Sequence, residues 1–109
     1  MTKIIAQEKP MKQITLRIAA IRELLDGILD AVTLLERAAL FSSIRFLIED
    51  LCRDEDPGSY PREKAYKLNA HIGAILSFDQ DYGMRPASHI TAATVELSSL
   101  ESGLLQRYR

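Results

Sequence analysis

The chain has 109 residues, enough for one domain with a single modest hydrophobic core. Its formal net charge of −1 excludes both the strongly basic character typical of nucleic-acid-binding proteins and the strongly acidic character of a DNA mimic. The one cysteine, Cys52, excludes an internal disulfide, and no apolar run approaches the roughly 18 residues of a membrane span. These features predict a cytoplasmic protein that is not embedded in a membrane.

The first predicted helix carries apolar residues from Ile14 to Leu35 in alternating steps of four and three, the spacing of a heptad seam. Further apolar residues flank the seam, so more than half of the helix circumference is apolar. Such a helix is buried from more than one side. We therefore expect this helix to lie in the interior of a bundle or to pack its second side on a partner subunit. The flanking residues assigned to partner binding are Leu16, Leu24 and Leu34.

The boundary between the first and second helices is not marked by a proline. One helix spanning both apolar stripes would be about 63 Å long at about 1.5 Å per residue, which is unusual in a small domain. We therefore predict a break, with a first helix over residues 12–35 and a second over residues 38–53. Residues 33–36 have the spacing of a capping box, and Ser42-Ser43 offers a second possible helix start.

The second half of the chain predicts a helical hairpin. The loop signal Pro57-Gly58 is followed by Ser59, which can cap a third helix with Pro61 in its first turn. A turn over residues 79–86 separates this helix from a fourth, which begins at Ser88.

The fourth helix combines a heptad seam with a row of small polar residues beside it. We expect this row to pack closely against another helix or, alternatively, to form a polar recognition surface. The residues of the row assigned to partner binding are Thr91, Ser98 and Ser102.

Taken together, these elements predict an all-α fold, a small antiparallel helical bundle of three to four helices in two hairpins. The bundle domain is predicted over residues 12–109, and residues 1–11 are predicted as an N-terminal arm.

The chain contains no motif of an enzyme, a cofactor site or a metal site. With a hairpin folded near residue 85, His71 and His89 are expected to lie about ten residues apart along the axis, or about 15 Å, too far to share a metal ion. The acidic residues between Glu49 and Asp56 are interpreted as a solvated loop or as a docking site for a basic partner. We predict no catalytic, cofactor-binding or metal-binding residues and no enzymatic activity.

Two functions are consistent with this pattern. The first is a non-enzymatic helical protein–protein interaction module, a homodimer that binds another protein, as small bacterial or phage regulators, immunity proteins, antitoxins and inhibitors do. The alternative is a nucleic-acid-associated regulator that uses a basic patch, although the fourth helix lacks the basic residues of a recognition helix. The basic groups available for such a patch are Lys9, Lys12 and Arg17, then Arg62, Lys64 and Lys67, and finally Arg107 and Arg109.

Overall fold

The structure is a computed structural model that describes the backbone of residues 2–108 and the side chains of residues 11–106 and of residue 108. This part of the chain is helical and contains no strand, which confirms the predicted all-α bundle. Within it, no helix is both long and apolar enough to cross a membrane. The helices are α1 (Thr2–Asp26), α2 (Leu34–Leu51), α3 (Tyr60–Ile75) and α4 (Pro86–Leu105), with short 3-10 turns at Ile28–Asp30 and Gln106–Tyr108.

Each helix runs antiparallel to the next, and α4 returns to pack beside α1, so the four helices form a ring around one core. The α3–α4 contact is the most extensive. An ion pair bridges each neighbouring pair of helices on the outside of the ring. These pairs are Arg17–Asp50 (α1–α2), Glu49–Arg62 (α2–α3), Lys64–Glu96 (α3–α4) and Arg22–Glu101 (α1–α4).

The core is mainly aliphatic, and most of its residues lie at positions that the apolar spacing of the sequence predicted. Burying one such Leu or Ile side chain contributes about 1.5–3 kcal/mol relative to leaving it exposed, so the seams supply the main driving force for folding. The fully buried residues include Ile18, Ile21 and Ile28, then Ile44 and Ile48 of α2, Leu68 and Ile72 of α3, and Leu97, Leu100 and Leu104 of α4.

The break between the first two helices lies earlier than predicted. Helix α1 ends at Asp26 and α2 begins at Leu34, so the predicted ranges 12–35 and 38–53 are wrong at this joint. The apolar spacing was misleading here because it continues through a connection that is not a continuous helix. Gly27 at the joint is a poor helix former, by about 1 kcal/mol relative to Ala.

The capping box predicted over residues 33–36 is confirmed and explains where α2 starts. The side chain of Thr33 accepts a hydrogen bond from the N–H group of Glu36 at 3.1 Å, and the N–H group of Thr33 donates to the Glu36 carboxylate at 2.8 Å. Each side chain thus satisfies a backbone donor that the first helical turn leaves unpaired. The hydrogen bond from the backbone N–H group of Thr33, and after it the Thr33 side chain, hold the pKa of the Glu36 carboxyl below its usual value.

The predicted cap of α3 is also confirmed, since the Ser59 side chain accepts from the N–H group of Arg62 and Pro61 lies in the first turn. Helix α4 begins at Pro86 rather than at Ser88. Because α3 already ends at Ile75, the connection spans residues 76–85 and is longer than the turn predicted over residues 79–86.

The predicted N-terminal arm, residues 1–11, lies outside the described side chains except for Met11. The backbone of α1 begins at Thr2. The division into an arm and a bundle domain over residues 12–109 stays a prediction.

Candidate functional site

Most of the side chains assigned to partner binding lie on the surface. Leu16 and Leu34 are 69% and 73% exposed, whereas Leu24 is half-buried and packs against the core. The α4 residues Thr91, Ser98 and Ser102 are exposed as well, and no described helix covers their row. The role of these residues in binding stays a prediction.

An exposed group of aliphatic residues surrounds the α1–α2 connection, and we call it the apolar corner. Its members are Leu29, Val32, Leu34 and Leu35, which are 61%, 71%, 73% and 79% exposed. Val32 and Leu35 belong to the predicted heptad seam, but the break after Asp26 turns them away from the core. The buried positions of α2 begin further along the helix, so no described side chain covers its first turn.

A cleft of about 540 Å³ lies between α2, α3 and the 76–85 connection. Its floor includes a parallel stack of Phe41 and Phe78, whose ring centroids are 5.4 Å apart, and the guanidinium of Arg45 lies 5.3 Å from the centroid of the Phe41 ring. Tyr66 and Tyr82 are mostly exposed at its rim. Asn69, Ala70, Asp79 and Gln80 complete the lining.

This cleft has no counterpart among the features predicted from the sequence. Its residues come from two helices and a connection, so no periodic pattern links them. The one available signal was the aromatic and polar segment from Phe78 to Tyr82, which was interpreted as a helix end and a turn.

His71 and His89 are in direct contact, so the predicted separation of about 15 Å is wrong. Their Nδ1 atoms lie 2.9 Å apart. The prediction placed the hairpin fold near residue 85, but the connection spans residues 76–85, which centres the fold near residue 80 and sets His71 opposite His89. Lys64 and Glu96, one heptad further from the turn, meet in the same register.

The hydrogen bonds of the histidine pair define where its protons are. The Asp81 carbonyl oxygen can only accept, so Nε2–H of the buried His89 donates to it at 3.0 Å. Nδ1 of neutral His89 is therefore an acceptor, and Nδ1–H of His71 donates to it. Burial and the neighbouring His89 lower the pKa of His71, against an opposing effect of Glu96.

Two other kinds of reactive site have little support, a cysteine nucleophile and a metal-binding cluster. Cys52 is buried, and this burial raises the pKa of its thiol, which keeps the nucleophilic thiolate scarce. Among the described residues, no group of three or more His, Cys, Asp or Glu side chains is placed to hold a metal ion.

The basic residues proposed for a nucleic-acid patch are largely engaged by carboxylates. Arg17 binds Asp50 at 2.6 Å, and Lys67 binds Glu63 at 3.2 Å. Arg62 and Lys64 form the interhelical pairs described above. The same pairs neutralise Glu49 and Asp50 of the predicted acidic loop, and Asp50 also binds Arg53. The side chains of Lys9, Arg107 and Arg109 lie outside the described residues.

Comparison with known proteins identifies no matching family model, no matching curated protein and no matching solved structure.

Proposed function

We propose that this protein is a non-enzymatic helical interaction module that forms a homodimer through the apolar corner. The observation that carries the proposal is the exposure of four aliphatic side chains within the seven residues from Leu29 to Leu35. Single exposed leucines are common, but a continuous apolar group at one corner is typical of an interaction surface.

The apolar corner has the chemistry of a self-complementary surface. In a twofold-symmetric dimer, the same patch of each protomer faces its own copy, so an uncharged apolar patch meets an equally apolar one. Association would remove these side chains from water, and each buried Å² of apolar surface stabilises the complex by about 25 cal/mol. Helical regulators, inhibitors, immunity proteins and antitoxins bind targets through surfaces of this kind, and a target protein is the second partner we propose.

The chemistry of the other candidate residues also supports binding over catalysis. The Cys52 thiol is buried, and both ring nitrogens of His89 are occupied by hydrogen bonds. A nucleic-acid-binding role has less support, because four of the basic residues proposed for it already form ion pairs.

The experiment that tests the proposal is light scattering over a range of protein concentrations, with a double substitution in the corner. Leu34→Glu with Leu35→Glu places two acidic residues in the first turn of α2, where the helix dipole favours them, so the fold is expected to persist. We expect a wild-type dimer and a monomeric variant with an unchanged circular dichroism spectrum.

Ser42→Glu with Ser43→Glu is the matched control, because it adds the same charge at two neighbouring exposed positions of α2. This control is expected to remain dimeric. A wild-type protein that stays monomeric at all concentrations contradicts the proposed homodimer, as does a corner variant that dimerises as well as the wild type.

A further inference from the structure

The cleft between α2, α3 and the 76–85 connection has the dimensions and walls of a small-molecule site. Its volume of about 540 Å³ falls within the range of roughly 300–1,000 Å³ that is usual for such sites. Phe41, Tyr66, Phe78 and Tyr82 supply aromatic surface to its floor and rim. Aromatic rings bind other flat rings by offset stacking or edge-to-face contact.

Two opposite charges line this cleft without an ion pair. Within the described part of the chain, no carboxylate pairs with the Arg45 guanidinium and no cation pairs with the Asp79 carboxylate. Elsewhere on the α2–α3 interface, opposite charges do form an ion pair, since Glu49 and Arg62 lie 3.1 Å apart. A cleft that presents one cation and one anion to solvent is complementary to a ligand that carries both charges.

Asn69 adds hydrogen-bonding capacity that the described protein does not use. Its Oδ1 atom is buried without a hydrogen-bond partner, although buried polar atoms in native proteins are nearly always paired. As oriented, Oδ1 can accept a hydrogen bond from a ligand donor; after a 180° rotation of the amide, Nδ2 takes its place and can donate to a ligand carboxylate.

The backbone places the side chains of Asn69 and Asp79 about one helical turn apart along α3. The Asp79 carboxylate lies beside Gly73, so closely that a Cβ atom at Gly73 would be 2.5 Å from Asp79 Oδ2. Gly73 follows Asn69 by four residues on α3, which corresponds to about 6 Å along the helix axis. The N–H groups of Phe78 and Asp79 both donate to the Gly73 carbonyl oxygen, at 2.7 and 3.1 Å, and fix this part of the connection to α3.

From this arrangement, we propose that the cleft binds a small aromatic zwitterion of the class of a free aromatic amino acid. The ligand ammonium binds Asp79, the carboxylate binds Arg45 and the Asn69 amide, and the aromatic side chain packs on the rings of the cleft. Arg45 suits the carboxylate because a guanidinium can donate two parallel hydrogen bonds to it. The inference is independent of the homodimer, because none of these residues belongs to the apolar corner.

The composition of the chain gives a clean assay. Because the protein contains no tryptophan, the fluorescence of L-tryptophan added as a probe can be excited selectively and its anisotropy followed as protein is titrated. We expect L-tryptophan to bind saturably. N-acetyl-L-tryptophanamide has the same ring without either charge, and its affinity should be at least about tenfold lower, as expected for the loss of a charged hydrogen bond.

Substitutions test each charge separately. Arg45→Gln and Asp79→Asn are each expected to weaken tryptophan binding about tenfold, whereas Lys12→Gln, an exposed change on α1 outside the cleft, is expected to leave it unchanged. Asn69→Asp is a further variant of nearly the same size that places a second negative charge near the ligand carboxylate, and it is also expected to weaken binding. Circular dichroism confirms the fold of each variant.

Two results overturn the proposal. One is the absence of a saturable rise in tryptophan anisotropy at wild-type protein concentrations up to roughly 1 mM, where even a weak site would bind a large share of the probe. The other is equal binding of tryptophan and its uncharged analogue together with no effect of the cleft variants, which would reduce the cleft to a nonspecific apolar surface.

Discussion

Nδ1–H of His71 donates a hydrogen bond to Nδ1 of His89, and the two nitrogen atoms lie 2.9 Å apart. The contact joins α3 to α4 next to the connection, and His89 extends it to the Asp81 carbonyl oxygen. Because the Nδ1–H group of His71 is already used in this hydrogen bond, protonation of His71 adds the new proton at Nε2. That protonated form places a positive charge in a partly buried position whose neighbouring carboxylate is Glu96.

The lowered pKa of His71 predicts that the protein becomes less stable as the pH falls from about 7 to about 5. The unfolded chain takes up a proton near the usual histidine pKa of about 6.5, whereas burial and His89 delay this uptake in the folded chain. The stability is therefore present in full above the unfolded pKa and declines below it, until the pH reaches the lowered folded pKa. Urea unfolding at a series of pH values measures this slope.

His71→Asn provides the comparison for this prediction, because it removes the titrating group and keeps a side-chain amide near His89. The free energy of unfolding of the variant should depend less on pH over the same range. Identical slopes for the two proteins would show that His71 does not titrate differently in the folded and unfolded states.

The capping box predicts that Thr33→Ala destabilises the protein by about 1 kcal/mol, because a backbone donor at the start of α2 loses its partner. The pKa of Glu36 should rise part of the way at the same time, since the side-chain hydrogen bond of Thr33 is lost while the larger influence, the hydrogen bond from its backbone N–H group, remains. Urea unfolding and NMR titration measure the two effects. Thr33→Ser should preserve both properties, and equal stability of the Ala and Ser variants would exclude a contribution from this cap.

The core predicts a large difference between two leucine substitutions of the same chemistry. Leu97→Ala removes a fully buried side chain at the α3–α4 contact and should cost about 2–5 kcal/mol. Leu16→Ala removes a side chain that is 69% exposed and should change stability by no more than about 0.5 kcal/mol. Chemical denaturation of both variants provides the measurement, and similar losses at the two positions would contradict the burial pattern.

The close approach of Gly103 to the Tyr60 ring, across the α3–α4 interface, predicts that a larger residue at position 103 destabilises the protein. A Cβ atom at Gly103 would lie 2.8 Å from the Tyr60 ring. Gly103→Ala is therefore expected to destabilise the protein by about 1 kcal/mol through overpacking, although alanine is the better helix former.

Combining Gly103→Ala with Tyr60→Ala should relieve this clash, so the double variant is expected to be more stable than the sum of the two single effects predicts. Additive effects, or a Gly103→Ala variant more stable than the wild type, would show that the ring moves aside without cost.

The sequence predicted the features that depend on short-range periodicity and caps. The apolar residues Ile18, Ile44, Leu68 and Leu97 are buried as their helical spacing indicated, and Ser59 caps α3. These predictions succeeded because a helix places residues three and four positions apart on one face, and the chain has enough aliphatic residues to cover those faces.

The failures concern relationships that local patterns do not encode. The spacing of Val32 and Leu35 continues the seam, yet the break after Asp26 exposes both residues. The register of His71 and His89 depends on where the connection between α3 and α4 is centred. An error in the position of that centre displaces the predicted partner of each residue by twice the error. The cleft around Arg45 required the packing of α2 on α3, which periodicity within one helix cannot give.

The most direct test of the proposed homodimer is the rate at which a maleimide reacts with the thiol introduced by Leu35→Cys, measured at increasing protein concentration. The native thiol of Cys52 is buried and gives a slow background, which the unmodified chain measures separately. If the apolar corner forms the dimer interface, the rate at position 35 falls several-fold as the concentration rises from roughly 1 µM towards 1 mM, the range over which a weak dimer assembles. A rate that stays constant across that range while the protein remains folded contradicts the proposal.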